Sequence, residues 1–135
     1  MIMKKNILKW TAFIFILFSI GTMIFPNAYV MHWMSPPDSN EIWTSAYSYF
    51  SSIPYGYANF FPLLTAVGGI FAALFHLIAN ASSKLIKPTL MLTCVSVGFS
   101  LLALLMSYSI SLAGMFISVF MLLSVVLQCF YLRIK

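Results

Sequence analysis

The chain has 135 residues, of which 62% are hydrophobic and 7% are charged, and its mean hydropathy is +1.01. An ordinary soluble domain carries about 25% charged residues, so this composition excludes a soluble fold of this length. The net charge of +5 comes from seven Lys and Arg residues against two acids. We interpret these basic residues as membrane-topology signals and contacts to anionic lipids, and we predict no nucleic-acid binding.

The charges divide the chain into three charge-free stretches, at residues 10–37, 42–83 and 88–132. About 20 apolar residues are enough to cross ~30 Å of hydrocarbon as a helix. The stretches therefore predict four spans, at about 9–31, 58–80, 88–106 and 112–132. All seven Lys and Arg residues then lie on one side of the membrane, which the positive-inside rule identifies as the cytoplasm. The predicted fold is one all-α domain, a four-helix bundle in the plasma membrane with both termini cytoplasmic.

The first span begins at the interfacial anchor formed by Lys9 and Trp10, and it contains Pro26 in its outer third. Because proline removes a backbone donor and clashes with the preceding turn, Pro26 predicts a kink or an early end. The N-terminus also has the basic start and apolar core of a signal peptide. That core is longer than the usual one of about 7–15 residues and no A-x-A site follows it, which favours an uncleaved span.

The external segment, residues 32–57, is predicted to contain a short amphipathic helix at 38–52 that lies on the membrane surface. Asp38 and Glu41 have the spacing of a capping box at its start. Apolar residues then recur at helical spacing, at Trp43, Ala46, Tyr47 and Phe50.

The second span opens with Asn59 and Pro62, which predict a helix cap and a first-turn proline. Gly69 and Ala73 lie on a stripe of small residues that would let helices pack closely. Uncharged polar residues also occur inside the spans. We expect them to form hydrogen bonds between helices, and a substrate path is the alternative.

Two groups of residues have the side chains of a metal site. Met31, His32 and Met34 would suit Cu(I), although an aromatic belt with methionine filler is the preferred interpretation. His76, Cys94 and Cys129 lie at similar depth in three spans and have the ligand types of zinc or copper. Nothing in the sequence makes them face one another, so we predict no metal and no cofactor.

No Asp, Glu, Lys or Arg lies in the interior of any predicted span, which argues against a proton-coupled exporter. The lack of intramembrane acids and of hydrolase or metal motifs also argues against an enzyme. We therefore predict a non-enzymatic interaction protein of accessory, regulatory or immunity type, with a membrane-protein partner or a second copy of itself. The alternative is a small oligomeric transporter or channel with an uncharged pathway.

The segment 53–62 combines two prolines and a glycine with four aromatic residues and an asparagine. On this stretch the chain resembles small uncharacterised four-helix membrane proteins of Gram-positive bacteria, and the resemblance implies a bacterial origin and no particular activity. Aromatic residues here form either a membrane belt or a recognition surface. The candidate interaction residues are Trp43, Tyr47, Tyr55, Tyr57 and Asn59.

Overall fold

The computed structural model describes residues 2–33, 43–51, 59–81, 83–106 and 111–134. Within these residues the chain forms four long helices, α1 (Ile2–Ile24), α2 (Phe61–Ala81), α3 (Ile86–Met106) and α4 (Leu112–Arg133). A short 3-10 helix, Ser83–Leu85, precedes α3. Two strands, β1 (Tyr29–Trp33) and β2 (Trp43–Tyr47), follow α1. Each of the four helices is long and apolar enough to span a membrane, which confirms the predicted number of such helices.

The helix bounds agree with the predicted spans for α2, α3 and α4 and differ for α1. The first helix was expected at 9–31, but it begins at Ile2 and ends at Ile24. Its early end follows from Pro26, which cannot donate the next helical hydrogen bond. A turn replaces the helix there, with hydrogen bonds from Phe25 N to Thr22 O (3.3 Å) and from Ala28 N to Phe25 O (3.1 Å).

The prediction of an external helix at 38–52 is wrong for residues 43–51, the part of that segment that the structure describes. Residues 43–47 form β2, which pairs antiparallel with β1 in a register from Tyr29 opposite Tyr47 to Trp33 opposite Trp43. Both strands are rich in aromatic and β-branched residues, which favour strands over helices. The proposed capping box at Asp38 and Glu41 lies outside the described residues.

The four helices form a closed ring in which α1 packs against α4 and α2, and α3 packs against the same two helices. Neighbours in the ring run antiparallel. One end of the bundle therefore holds the residues next to the strand pair, and we call it the hairpin end. The other end holds the start of α1 and the end of α4, and we call it the terminal end.

Close helix contacts inside the ring occur at glycines. A Cβ atom at Gly69 would lie 2.8 Å from the Met121 methyl carbon, and one at Gly68 would meet the Ser96 hydroxyl. Gly69 was predicted to lie on a stripe of small residues, and these contacts place it against α4. The core of the hairpin end is therefore filled by side chains such as Met121, which is fully buried.

Candidate interaction surface at the hairpin end

The strand pair is anchored to the bundle by two tyrosines, one at the start of β1 and one just after β2. Tyr29 is the first residue of β1 and is 2% exposed, whereas Tyr49 follows β2 and is completely buried. Their rings meet edge to face with centroids 6.3 Å apart. Aromatic rings bury a large apolar area, and both tyrosines belong to one buried cluster with residues of α1, α2 and α4.

Tyr29 is held by Asn59, which lies two residues before the start of α2. The Asn59 side-chain amide donates a hydrogen bond to the Tyr29 hydroxyl. The carbonyl oxygen of the same side chain accepts a hydrogen bond from Phe61 N at 3.3 Å, and it thereby caps the start of α2. Burial raises the pKa of Tyr29, and the bond from Asn59 partly offsets that rise. One buried asparagine therefore fixes both the first strand and the second helix.

Tyr49 inserts between the helices at the hairpin end. Its backbone N–H donates to Met23 O at 3.0 Å, which ties the residue after β2 to the last turn of α1. Its ring belongs to a buried cluster with Met23, Ala28, Tyr29, Ala66, Ile117 and Met121. Burial raises the pKa of Tyr49 to about 12, with a smaller opposing effect from Ser100.

The Tyr49 hydroxyl has no hydrogen-bond partner among the described residues. The Ser100 hydroxyl lies close enough to lower the pKa of Tyr49 as a hydrogen-bonding neighbour, but the two groups do not meet the geometry of a hydrogen bond, and the Ser100 hydroxyl pairs with that of Ser118 at 2.6 Å. Gly114 lets the ring enter, because a Cβ atom there would lie 3.3 Å from the Tyr49 oxygen. Tyr49 is therefore held by packing and not by its hydroxyl.

Ser111 connects the strand pair to the fourth helix. Its hydroxyl donates to Ala28 O at 2.6 Å, immediately before β1, and it accepts a hydrogen bond from Gly114 N at 2.9 Å as the N-cap of α4. The strands are thus joined to α1 through Tyr49, to α2 through Asn59 and to α4 through Ser111. Three attachments to three helices fix the orientation of the strand pair on the bundle.

The strand pair also presents residues to the outside. Thr44 and Ala46 in β2 are exposed, and Phe50 is 37% exposed. We call Thr44, Ala46 and Phe50 the outer surface of the strand pair. This surface is small and of mixed polarity, and none of its three residues is charged. The three attachments described above hold its backbone in place.

The predicted interaction residues fall into three groups. Trp43 starts β2, with its backbone opposite Trp33, and Tyr47 ends it, half-buried and opposite Tyr29. Asn59 is 7% exposed and its amide is used inside the protein, as described above. Tyr55 and Tyr57 lie outside the described residues. Tyr29 and Tyr49 were not identified from the sequence as anchors of the strand pair. For Tyr29, the available signal was Pro26, because a helix that ends there leaves Tyr29 outside it.

The predicted metal-ligand groups are not brought together in the part of the chain that the structure describes. His76 is fully buried, stacks on Phe13 at 5.5 Å and bonds to Lys9 O at 2.9 Å, whereas Cys94 and Cys129 are exposed on the outside of the bundle. Over the described ranges, no three His, Cys, Asp or Glu residues are close enough to hold one ion.

For the first candidate group, Met31, His32 and Met34, the structure describes little. Met31 packs against the buried cluster around Tyr49, and only the backbone of His32 is described. Met34 lies outside the described residues.

Polar side chains inside the bundle bond mainly to helix backbones or to one another. Ser19 donates to Ile117 O at 3.2 Å and Ser124 donates to Ala12 O at 2.9 Å, so both join α1 to α4. These bonds have the form that was expected for interhelical contacts.

Gln128 connects α4 to α3 in the terminal half of the bundle. Its side-chain amide donates to Thr93 Oγ1 at 3.3 Å and to Ser124 Oγ at 3.1 Å. Two buried acceptors in this half, His76 Nδ1 and Gln128 Oε1, have no partner among the described residues. The interior is thus polar at the terminal end, although hydroxyl groups there are largely used by the protein itself.

Comparisons with known proteins found no matching family model, no matching curated protein and no matching solved structure. The resemblance to four-helix membrane proteins of Gram-positive bacteria therefore stays a prediction.

Proposed function

We propose that the chain is an integral protein of a bacterial plasma membrane, with both termini in the cytoplasm and the strand pair outside. The four apolar helices and the antiparallel ring support insertion. The side is supported by the sequence, since all seven Lys and Arg residues fall at the terminal end of this arrangement or beyond it.

Reporter fusions test this orientation. Fusions at Lys84 and at the C-terminus should report cytoplasm, and a fusion at Asn40 should report the exterior. A cytoplasmic signal at Asn40 would overturn the topology.

We further propose that the protein is a non-enzymatic interaction protein that recognises a membrane-protein partner through the strand pair. The observation that supports this proposal is the threefold attachment of the strands by Tyr49, Asn59 and Ser111. Binding costs conformational entropy when a surface must become ordered, so a surface that is already held in place loses less free energy on association. Five-residue strands on a bundle need such attachment, because an isolated two-stranded sheet is at best marginally stable.

The alternative is a small oligomeric transporter or channel. The unpaired acceptors His76 Nδ1 and Gln128 Oε1 favour it, since water or a permeating donor could bond to them. The close contact of Gly69 with Met121 at the hairpin end favours the interaction protein, because it fills the middle of the bundle on that side. Both described grooves, one on α1 and one on α4, open to the outside of the bundle and not to its interior.

Site-specific photo-crosslinking in intact cells distinguishes these functions. A photoreactive residue at Thr44 or Ala46 should give one discrete adduct, and the same residue at Lys84, at the other end of the bundle, should not. Thr44→Arg should remove the adduct formed from Ala46, because a large charge on the same strand blocks the surface. An adduct of twice the chain's mass together with solute flux in vesicles would support the alternative. Equal adducts from positions 44, 46 and 84 would contradict recognition by the strand pair.

A further inference from the structure

We propose that a groove on the outer face of α4, at the terminal end, binds one anionic phospholipid. Its phosphate would bond to Arg133, and one acyl chain would lie along the apolar wall of the groove. This inference rests on the membrane insertion proposed above, and it is independent of what the strand pair recognises.

The groove has a volume of about 200 Å³ and is lined by Val125, Val126, Cys129, Phe130 and Arg133. These positions share one face of α4 over two turns, a length of ~12 Å at the helical rise. The opposite face of the helix carries Ser124 and Gln128, which are buried in the bundle. The groove therefore faces away from the other helices, where lipid would surround the protein.

The polar end of the groove has the chemistry of a phosphate site. Arg133 is the only arginine of the chain, and its planar guanidinium can donate two parallel hydrogen bonds to one phosphate. Arg133 is exposed, and its side chain is engaged by none of the residues that the structure describes. Lys9 differs in this respect, because its ammonium donates to Ala79 O at 2.6 Å and so ties α1 to α2.

The surroundings of Arg133 also favour an anion. α3 begins at Ile86, at the end of the bundle where the antiparallel α4 finishes, and the exposed Lys87 adds a second positive charge there. The two acids of the chain, Asp38 and Glu41, lie in the sequence between β1 and β2, outside the described residues, so no described acid lies beside Arg133. Basic groups at the cytoplasmic edge of a membrane helix are known to bind anionic headgroups.

A second groove shows why the charge decides the ligand. The groove on α1 is larger, about 490 Å³, but Thr22 is its one polar side chain and no charged residue lines it. Such a surface has no group that could distinguish one headgroup from another. The groove on α4 combines an apolar wall with a cation at its end. It therefore complements an anionic phospholipid, which has an apolar chain and a negatively charged phosphate.

Native mass spectrometry of the full chain tests the proposal. The protein is inserted into vesicles of equimolar phosphatidylglycerol and phosphatidylcholine, released in mild detergent, and weighed with the lipids that it retains. We expect one retained phosphatidylglycerol in preference to phosphatidylcholine. Arg133→Gln should reduce that retention about fivefold, the change that corresponds to ~1 kcal/mol for one cation at the membrane surface. Lys4→Gln removes the same charge at the same end and should leave the retention unchanged.

A second pair of variants tests the apolar wall without changing any charge. Cys129→Trp fills the groove and should lower retention of phosphatidylglycerol, whereas Leu122→Trp, at an outward position of α4 that does not line the groove, should not. If Arg133→Gln fails to fold, this pair decides the question alone.

Three results would overturn the proposal: equal retention of both lipids, an equal loss in Lys4→Gln, or full retention in Cys129→Trp. Alkaline carbonate extraction of the vesicles distinguishes these three results from a failure of membrane insertion. A protein that resists extraction but shows no lipid preference contradicts the lipid site and leaves insertion standing.

Discussion

Two tyrosine-to-phenylalanine substitutions at the base of the strand pair should differ in their effect on stability: one should lower it and the other should not. The Tyr29 and Tyr49 side chains are both buried and their rings touch, so each substitution removes one hydroxyl from the same cluster. The difference between them is hydrogen bonding. Tyr29 accepts a bond from Asn59, whereas the Tyr49 hydroxyl has no partner within the described residues.

The expected magnitudes follow from that difference. In Tyr29→Phe the buried Asn59 amide loses its acceptor, and an unsatisfied buried donor costs about 1–3 kcal/mol. In Tyr49→Phe no bond is lost and an unpaired polar group leaves the interior, so the free energy of unfolding should stay constant or rise slightly. Tyr49→Ala serves as the control for packing, and it should cost about 3–5 kcal/mol because it leaves a cavity.

The stability of the protein at alkaline pH gives a second, independent test of Tyr49. The pKa of Tyr49 is about 12 in the folded protein against an ordinary value of 10. A raised tyrosine pKa means that the folded state keeps a proton that the unfolded state loses. The resulting stability is present below pH 10 and is lost as the pH rises from 10 to 12. Its size is on the order of 3 kcal/mol. Tyr49→Phe should therefore be less sensitive to alkali than the wild-type chain.

The assay is unfolding in mixed detergent micelles, followed by near-ultraviolet circular dichroism at pH 8 and again between pH 10 and 12. Tyr29→Phe and Tyr49→Phe are measured under identical conditions. If Tyr49→Phe costs as much as Tyr29→Phe at pH 8, the Tyr49 hydroxyl has a partner and the reasoning is wrong. An unchanged alkaline transition in Tyr49→Phe would refute the assignment of the raised pKa.

Two further predictions concern the helix contacts. Gly69→Leu should lower the unfolding temperature in detergent much more than Leu74→Ala, because a side chain at Gly69 meets Met121 at 2.8 Å whereas Leu74 is 49% exposed; equal effects would show that Gly69 does not face the core. Ser111→Ala should cost about 1–2 kcal/mol, since it removes the N-cap of α4. It also removes the bond to Ala28 O. Ser111→Thr, which keeps a hydroxyl, should recover much of the loss, and an equal loss in both would point to sterics.

The sequence predicted three of the helices closely, since long apolar runs determine where α2, α3 and α4 lie. It placed the end of the first span too late, at 31, because apolar residues continue to Tyr29 and beyond and hydrophobicity alone does not separate a helix from a buried strand, although an early end was one of the two outcomes predicted from Pro26. Pro26 carried the information that the helix stops early. The start of α1 was also placed too late. Lys9, which was predicted to lie at the start of the first span, lies inside α1, and its ammonium bonds to the end of α2.

The strand pair could not be predicted from local pattern, because each strand finds its partner through a contact distant in sequence. Residues 29–31 were assigned to the first span, residues 32–33 to the external segment and residues 43–47 to a helix, so the register of Tyr29 with Tyr47 was not considered. The attachments have the same character. The bond from Ser111 to Ala28 joins residues 83 positions apart, and nothing near either residue indicates it. Asn59 was chosen for its place beside aromatic residues, yet its amide bonds to Tyr29 inside the protein.

The fourth helix links the two proposed sites of this protein. Ser111 at its first turn holds the backbone before β1, and Arg133 in its last turn ends the groove for a phospholipid, ~33 Å away along the helix axis. A lipid that tilts or shifts α4 would act on the strand pair through the bond between Ser111 and Ala28. Thermodynamic linkage then requires that a partner on the strand pair change the lipid affinity by the same factor. Ser111→Ala removes the bond at one end only, so it should reduce this coupling while leaving the intrinsic affinity of the Arg133 groove for phosphatidylglycerol unchanged.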